Sequence, residues 1–146
     1  MRFMIIVPAT ARSEAGGLPT EAELAAMTDY NEELLRAGVL VGGEGLHPTS
    51  RGARFDFGPD GEVTVTDGPF AEAKELIAGF TLIDVSSRDE AVEWVRKWPR
   101  IGGEEGFALE LRQVFAAEDF GAELTPELQE REAQMRAATG ATAPQS

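Results

Sequence analysis

The sequence predicts an α+β domain in which two helices cover one face of an antiparallel sheet. Several short runs alternate apolar and polar residues with the period of two that is typical of strands. Two other stretches begin with helix-capping residues and continue with apolar residues at helical spacing. The order along the chain is strand, helix, strands, strand, helix, strand, which is the order of a split βαβ unit with an added hairpin.

Composition limits the classes of function. The chain has 146 residues, about one domain, and a formal net charge of -13 with 26 acidic and 13 basic residues. This charge repels phosphate backbones, so we expect no direct binding of nucleic acid. The absence of Cys and the single His argue against a disulfide framework and a zinc site, and no nucleotide-binding motif indicates a cofactor. The apolar start of the chain, residues 1–8, is typical of a first strand and not of a signal peptide, so we expect a cytoplasmic protein without a membrane segment.

The first half of the chain contains the clearest helix. Residues 2–7 form a strand that is apolar on both faces, and residues 9–18 are expected to form a loop. Thr20 and Glu23 have the spacing of a capping box, and Gly38 is placed to end the helix in a left-handed conformation. The predicted buried stripe of this helix consists of Leu24, Met27, Leu34 and Leu35.

The middle of the chain is predicted to be a strand followed by a hairpin. The strand begins at residues 39–41, and the glycines of residues 42–45 permit a bulge or a close backbone approach. Residues 53–57 and 62–66 alternate on either side of a Gly-Pro-Asp-Gly turn, which predicts a β-hairpin. The turn at Asp67 ends this hairpin.

The remaining elements complete the unit. Residues 76–85 are predicted to form a strand, and Ser87 with Glu90 gives a second capping-box signal for a helix that stops at Pro99. Residues 107–115 alternate as a half-buried last strand. Trp94 and Trp98 have helical spacing and are interpreted as core residues.

These elements predict a ferredoxin-like domain over residues 1–115 and an extension over residues 116–146. The extension has a helix start at Thr125-Pro126, and from Thr139 onward its composition is typical of disorder. Because residues 3–7 are apolar on both sides, we expect the open face of the sheet to be covered by a second copy in a homodimer.

The segment Asp67-Gly68-Pro69-Phe70 is a turn by its chemistry, since Gly tolerates positive φ and Pro fixes φ. Together with Ala71-Glu72, Lys74-Glu75 and the stretch from Gly43 to Pro48, it resembles the YCII-related proteins of the DGPF type over residues 1–115. The resemblance implies a dimeric ferredoxin-like α/β barrel with a pocket between sheet and helices. The wider group includes a dehydrochlorinase-type enzyme that acts on chlorinated hydroxyquinols and is similar in fold to muconolactone isomerases. Some DGPF relatives are encoded with extracytoplasmic-function sigma factors.

His47 and Asp67 are the candidate catalytic pair. The group's recurring pair is a His and an Asp in the pocket, in which the carboxylate orients the imidazole and the imidazole moves the proton. Imidazole suits proton transfer at neutral pH because its ordinary pKa is about 6.5. The alternative is a loop histidine before Pro48 that forms only local hydrogen bonds.

Glu44, Phe70 and Lys74 are the candidate substrate-binding residues. Each has a simpler interpretation. Glu44 would be a solvent-facing acid, Phe70 a core ring and Lys74 a partner in a surface ion pair. Two functions therefore remain open. The first is an enzyme that isomerises or dehydrochlorinates a small aromatic or lactone compound without a cofactor. The second is a non-catalytic ligand-binding or regulatory module associated with a sigma factor. The remaining alternative to both is a purely structural dimer that binds no ligand.

Overall fold

The computed structural model describes residues 1–71, 75–100 and 106–142. The strands are β1 (Arg2–Pro8), β2 (Leu40–Gly45), β3 (Ala53–Phe57), β4 (Val63–Asp67), β5 (Ile77–Asp84) and β6 (Glu110–Gln113). The helices are α1 (Ala11–Glu14), α2 (Glu21–Arg36), α3 (Arg88–Arg96) and α4 (Pro126–Thr142), with 3-10 turns at Thr49–Arg51 and Ala117–Glu123. The chain divides into two compact units, Met1–Val114 and a second unit that begins at Phe115.

The first unit has the predicted ferredoxin-like fold. Its main sheet has the strand order β2-β5-β1-β6, and every neighbouring pair is antiparallel. Strands β1 and β2 are therefore separated by β5, as in a split βαβ unit. The hairpin β3–β4 forms its own two-stranded sheet. The prediction of an α+β fold with an added hairpin is confirmed.

One face of the main sheet carries the core. Phe3, Ile5 and Ile83 are buried there against Tyr30 and Leu34 of α2, and Ala91 of α3 joins the same cluster. Trp94 and Trp98 pack against this cluster, which confirms their interpretation as core residues. The opposite face carries Met4, Ile6, Phe80 and Leu82, which lie in opposed pairs and are partly exposed. The two-sided apolarity of β1 thus reflects a covered face and an open face.

The caps of the two long helices explain where they begin. Thr20 accepts a hydrogen bond from the Glu23 amide at 3.2 Å, and the Glu23 carboxylate accepts one from the Thr20 amide at 2.6 Å. Gly38 follows α2 with φ 72°, as predicted for its end. The second predicted capping box, at Ser87 and Glu90, forms only in part. Ser87 accepts from the Glu90 amide at 3.1 Å, but the Glu90 carboxylate accepts from the amide and hydroxyl of Ser86.

The structure corrects three further details of the predicted elements. The expected loop of residues 9–18 contains α1, whose capping box joins Thr10 and Ser13 through reciprocal hydrogen bonds of 2.8 and 3.1 Å. Leu24 and Leu35 of the predicted α2 stripe are exposed, because the face of α2 that meets the sheet is the one bearing Tyr30 and Leu34. The last strand spans only Glu110–Gln113 and not residues 107–115.

The strand β2 keeps its pairing through its glycines. Its register against β5 shifts between Leu40 and Gly42, so the irregularity expected here is present. A Cβ on Gly43 would lie 2.8 Å from the Phe80 carbonyl oxygen, so this position requires the close approach that only glycine allows.

The second unit consists of a kinked 3-10 segment and α4. The rings of Phe115 and Phe120 have centroids 4.9 Å apart and planes tilted by 35°. The Thr125 hydroxyl accepts a hydrogen bond from the Leu128 amide at 3.3 Å, as the predicted helix start requires. The helix continues to Thr142, past the point at which disorder was predicted, and residues 143–146 lie outside the described residues. Among the described residues, no helix is long and apolar enough to cross a bilayer.

Candidate functional site

The Asp67–Phe70 turn is fastened to the rest of the first unit through Thr49. The Thr49 hydroxyl donates to Glu14 Oε2 at 2.7 Å, and the Thr49 amide donates to Glu14 Oε1 at 3.1 Å. The same hydroxyl accepts a hydrogen bond from the Phe70 amide at 3.0 Å. One side chain therefore joins α1, the 3-10 turn and the Asp67–Phe70 turn. We call this group, Glu14, Thr49 and Phe70, the Thr49 junction.

Gly68 allows the two turns to touch. Its amide donates to the Gly52 carbonyl at 3.0 Å, and the Gly68–Pro69 peptide bond is cis. A Cβ built on Gly68 would overlap the carbonyl group of Thr49. Any residue larger than glycine must therefore push the turns apart, because the atom in the way is backbone and not a flexible side chain. The need for glycine here comes from this close approach and not from a positive φ.

Phe70 lies half-buried under a cation. The guanidinium carbon of Arg54 lies 4.2 Å from the centroid of the Phe70 ring, within the range of a cation–π contact. Arg54 is on β3, so this contact also ties the turn to the hairpin. Phe70 was predicted as a pocket wall or as a core ring. The structure makes it a partly exposed ring, with one side packed against Arg54.

His47 has an arginine as its hydrogen-bond partner. Arg51 Nη1 lies 3.0 Å from His47 Nε2 and 3.4 Å from Nδ1, and both side chains are exposed. A guanidinium can only donate, so a ring nitrogen accepts from Arg51 only in the tautomer in which that nitrogen carries a lone pair. The contact with Nε2 is the shorter of the two.

Asp67 is the last residue of β4 and pairs with Ala53 across the hairpin. Its side chain is exposed. Among the described residues, no hydrogen bond joins Asp67 to His47. Both residues flank the Thr49 junction, since Asp67 precedes Gly68 and His47 lies two positions before Thr49. The catalytic pairing of the two remains a prediction.

Of the other predicted binding residues, Glu44 is not part of this junction. Glu44 lies on β2 opposite Phe80, and its side chain is exposed. Lys74 lies outside the described residues. Within the part of the chain that the structure describes, no group of three His, Cys, Asp or Glu side chains is placed to hold a metal ion.

An ion pair between Arg12 and Glu23 anchors the junction from the α1 side. Arg12 donates to both carboxylate oxygens of Glu23, at 3.1 and 3.2 Å, and to the Leu18 carbonyl at 2.7 Å. These hydrogen bonds, together with the Thr20 amide, lower the pKa of Glu23 to about 2, while the contact with Glu23 raises the pKa of Arg12. The pair holds α1 against the start of α2, and α1 carries Glu14.

Sequence reasoning missed Glu14, Thr49, Arg51 and Arg54. Thr10 and Ser13, which have the side chains of a reciprocal cap, were the available signal for α1. Nothing in the sequence indicates that Glu14 meets Thr49, because these residues are 35 positions apart and neither lies in a recognisable motif.

Two comparisons with known proteins bear on this site. A family model described as the YCII-related domain matches residues 1–115. A curated protein of Rhizobium meliloti (strain 1021), described only as uncharacterized, is 40% identical over 70 residues, which cover 48% of this chain. The chain spans 56% of the length of that relative. The match of the family model covers every residue of the Thr49 junction and the His47–Arg51 contact.

Proposed function

The chain belongs to the YCII-related family, and we propose that it binds a small organic anion beside His47 and transfers a proton through this imidazole. The observation that carries the proposal is the 3.0 Å contact between Arg51 Nη1 and His47 Nε2. In the tautomer with the proton on Nδ1, this contact places a positive charge next to a nitrogen that keeps its lone pair. A base and an electrostatic stabiliser for a developing negative charge are then side by side.

Arg51 also accounts for the charge of the ligand. The chain carries 26 acidic and 13 basic residues, so its overall field repels anions. A small anion needs a local cation, and the arginines of this region, Arg51 and Arg54, contact an imidazole and an aromatic ring and not a carboxylate among the described residues. Lys74 is proposed as a third cation for the same ligand. A carboxylate or phenolate on the ligand would take the guanidinium of Arg51 in a bidentate contact.

The proposed chemistry follows from these roles. When the ligand binds Arg51, Nε2 of His47 is released from its hydrogen bond and accepts a proton from a carbon or hydroxyl of the ligand. The electron pair of the broken bond stays on the ligand as an oxyanion, which Arg51 stabilises. Isomerisation ends when His47 returns the proton to another carbon. Dehydrochlorination ends when the electron pair expels chloride and the protonated His47 passes its proton to water. Asp67 orients the ring by accepting a hydrogen bond from Nδ1–H, and Phe70 supplies a flat apolar wall for an aromatic or lactone ring.

The proposal is tested with a chlorinated hydroxyquinol and with muconolactone as probes. Product is followed by ultraviolet absorbance, and released chloride is measured separately. We expect turnover in the wild type and a loss of at least a hundredfold in kcat in His47→Gln, since a positioned acid–base group contributes about 10²–10⁴-fold. We expect Arg51→Met to lower kcat as well as to raise KM, because Arg51 both binds the anion and stabilises the developing oxyanion. Ser50→Ala, next to Arg51 in the same turn, is the matched control.

The single imidazole gives a direct check on the geometry. Nitrogen NMR of His47 in the wild type should show the proton on Nδ1, and Arg51→Met should lose this preference. Full turnover in His47→Gln would exclude the proton-transfer role. A ligand that shifts the His47 signal saturably and gives no product would instead favour the alternative, a non-catalytic ligand-binding module.

A further inference from the structure

The face of the main sheet that α2 covers loses its side chains along the edge strand β2. Leu40, at the start of this strand, packs against the core. Further along β2, Gly43 lies opposite Thr81. Gly45 lies opposite Gly79. Because directly opposed residues project to the same side of a sheet, the surface of β2 from position 43 to position 45 on this face is bare main chain. We call it the glycine strip.

The glycine strip borders open space. Gly43 and Gly45 are both exposed, and a Cβ built on Gly45 would meet no atom within 4 Å. Gly43 differs, because a Cβ there would lie 2.8 Å from the Phe80 carbonyl oxygen. The close approach of β5 therefore explains the glycine at position 43. No contact explains the glycine at position 45, so the space above it is free because of the residue type and not because of packing.

Thr81 directs a hydroxyl toward the same space. The residue is 6% exposed, and its Oγ1 lies 3.2 Å from the position that a Cβ on Gly43 would take. Within the described part of the chain this hydroxyl has no hydrogen-bond partner, and no fully enclosed side-chain oxygen or nitrogen lacks one, so the hydroxyl still reaches accessible space. A hydroxyl that folding removes from water without a partner is costly. A polar group that enters above the glycine strip would supply the missing partner.

The glycine strip leads directly to the candidate site. The Leu46 amide donates to the Ala78 carbonyl at 2.8 Å, so the pairing of β2 with β5 continues one residue beyond Gly45. His47 is the next residue. Because each residue of an extended chain spans at most about 3.6 Å, the Cα atoms of Gly43 and His47 are no more than about 14 Å apart. A six-membered ring with a polar substituent at each end, together with the reach of the side chains, spans this interval.

We propose that the glycine strip and Thr81 bind the ring of the ligand, and that Thr81 selects ligands with a hydroxyl or carbonyl group at the end remote from the anionic group. A planar ring fits here because bare peptide groups are themselves planar and glycine lets a ligand approach the main chain. The Thr81 hydroxyl can donate to or accept from such a substituent. The inference rests on the proposed function for the anionic end of the ligand, which Arg51 holds. Thr81 determines specificity and takes no part in the proton transfer.

Two probes that differ by one hydroxyl test the role of Thr81. The first, para-hydroxybenzoate, has a carboxylate for Arg51 and a hydroxyl at the other end of the ring, and the second, benzoate, lacks the hydroxyl. In calorimetric titrations we expect the wild type to bind para-hydroxybenzoate about tenfold more tightly, since one hydrogen bond changes an affinity by up to about this factor. Thr81→Val should bring the two affinities within about twofold of each other, and Thr81→Ser should keep the difference. Benzoate should bind Thr81→Val as it binds the wild type.

The place of the ring is tested on the two faces of one strand. Gly45→Leu fills the space above the glycine strip, and Gly42→Leu puts the same side chain on the other face of β2, since Gly42 pairs with Leu82 and not with Thr81. A Cβ at either position meets nothing within 4 Å, so both variants should fold. We expect Gly45→Leu to weaken both probes at least tenfold and Gly42→Leu to change them less than about twofold. Gly45→Ser replaces Gly45→Leu if the larger side chain prevents folding.

The stability of Thr81→Val gives a readout that needs no ligand. Because the hydroxyl has no partner in the described fold, the urea midpoint of this variant should equal or exceed that of the wild type. A lower midpoint would reveal an internal partner and overturn the proposal.

The remaining outcomes separate this inference from the proposed function. A preference for para-hydroxybenzoate that survives Thr81→Val, binding that survives Gly45→Leu, or no saturable binding of either probe to the wild type would overturn the inference. The loss of turnover in His47→Gln is measured independently and would still support proton transfer. If Arg51→Met binds both probes as the wild type does, the anion site of the proposed function fails, whereas the selectivity due to Thr81 would stand.

Discussion

Replacing Thr49 by valine should detach the Asp67–Phe70 turn without changing the shape of the side chain. Valine removes the 2.7 Å hydrogen bond to the Glu14 carboxylate and the acceptor of the 3.0 Å bond from the Phe70 amide. A hydrogen bond to a charged group contributes about 1.5–3 kcal/mol and a neutral one about 1 kcal/mol. Since the Thr49 junction is only part-buried, water replaces part of these hydrogen bonds in the variant. We therefore expect the free energy of unfolding to fall by about 2 kcal/mol.

The loss is measurable by urea unfolding followed through tryptophan fluorescence, because Trp94 and Trp98 report on the core. With an unfolding entropy of about 2.1 cal/mol/K per residue over residues 1–114, the loss corresponds to a fall of about 8 °C in Tm. Thr49→Ser keeps the hydroxyl and should stay within about 1 kcal/mol of the wild type. The amide of Phe70 should exchange with solvent at least tenfold faster in the valine variant alone. A valine variant as stable as the serine variant would refute the role of the junction.

Three further predictions follow from single features of the structure. Gly68→Ala should destabilise the first unit by about 3 kcal/mol in the same urea assay, because the new Cβ overlaps the Thr49 carbonyl. Gly42→Ala is the control: its Cβ meets nothing within 4 Å, and it should cost less than about 1 kcal/mol. Burial raises the pKa of Tyr30 to about 12. As the pH rises, the unfolded chain loses the phenolic proton near pH 10 and the folded chain loses it only at higher pH, so the free energy of unfolding should fall by about 2 kcal/mol between pH 10 and 12. Tyr30→Phe should remove that part of the pH dependence. The chain carries a net charge of -13, so raising the salt from about 0.01 to 0.15 M should raise the free energy of unfolding in the same urea assay, because screening weakens the self-repulsion of the compact state; a fall would contradict this reasoning.

The features that the sequence predicted are the ones encoded within a few residues. The reciprocal cap of Thr20 and Glu23 and the left-handed Gly38 depend only on residues within one helical turn of each other. The order of strands and helices follows from hydrophobic periodicity in the same way. These local signals were enough for the ferredoxin-like topology, because few chain paths connect such elements without crossings.

The features that the sequence did not predict depend on contacts between distant segments. Leu24 and Leu35 are as apolar as Leu34, and only the direction from which the sheet meets α2 decides that Leu34 and Tyr30 are buried instead. Tyr30 enters the core because its hydroxyl finds the Trp94 carbonyl at 2.9 Å, 64 positions away. Glu14 and Thr49 meet in the same manner. A histidine at position 47 was identifiable, but its partner Arg51 depends on the path of the 3-10 turn between them.

The register of the hairpin connects Asp67 with the Thr49 junction. Residues 63, 65 and 67 alternate along β4, so Asp67 lies on the same side as Val63 and Val65, at the end of the hairpin that meets the Thr49 junction. Gly68 fixes that end, because its close approach to Thr49 leaves the turn no room to shift. The Cβ of Gly68→Ala would therefore displace Asp67 together with the turn. If Asp67 orients the His47 ring as proposed, Gly68→Ala should lower turnover, because a misplaced orienting group disturbs the geometry of proton transfer, whereas Gly42→Ala should not.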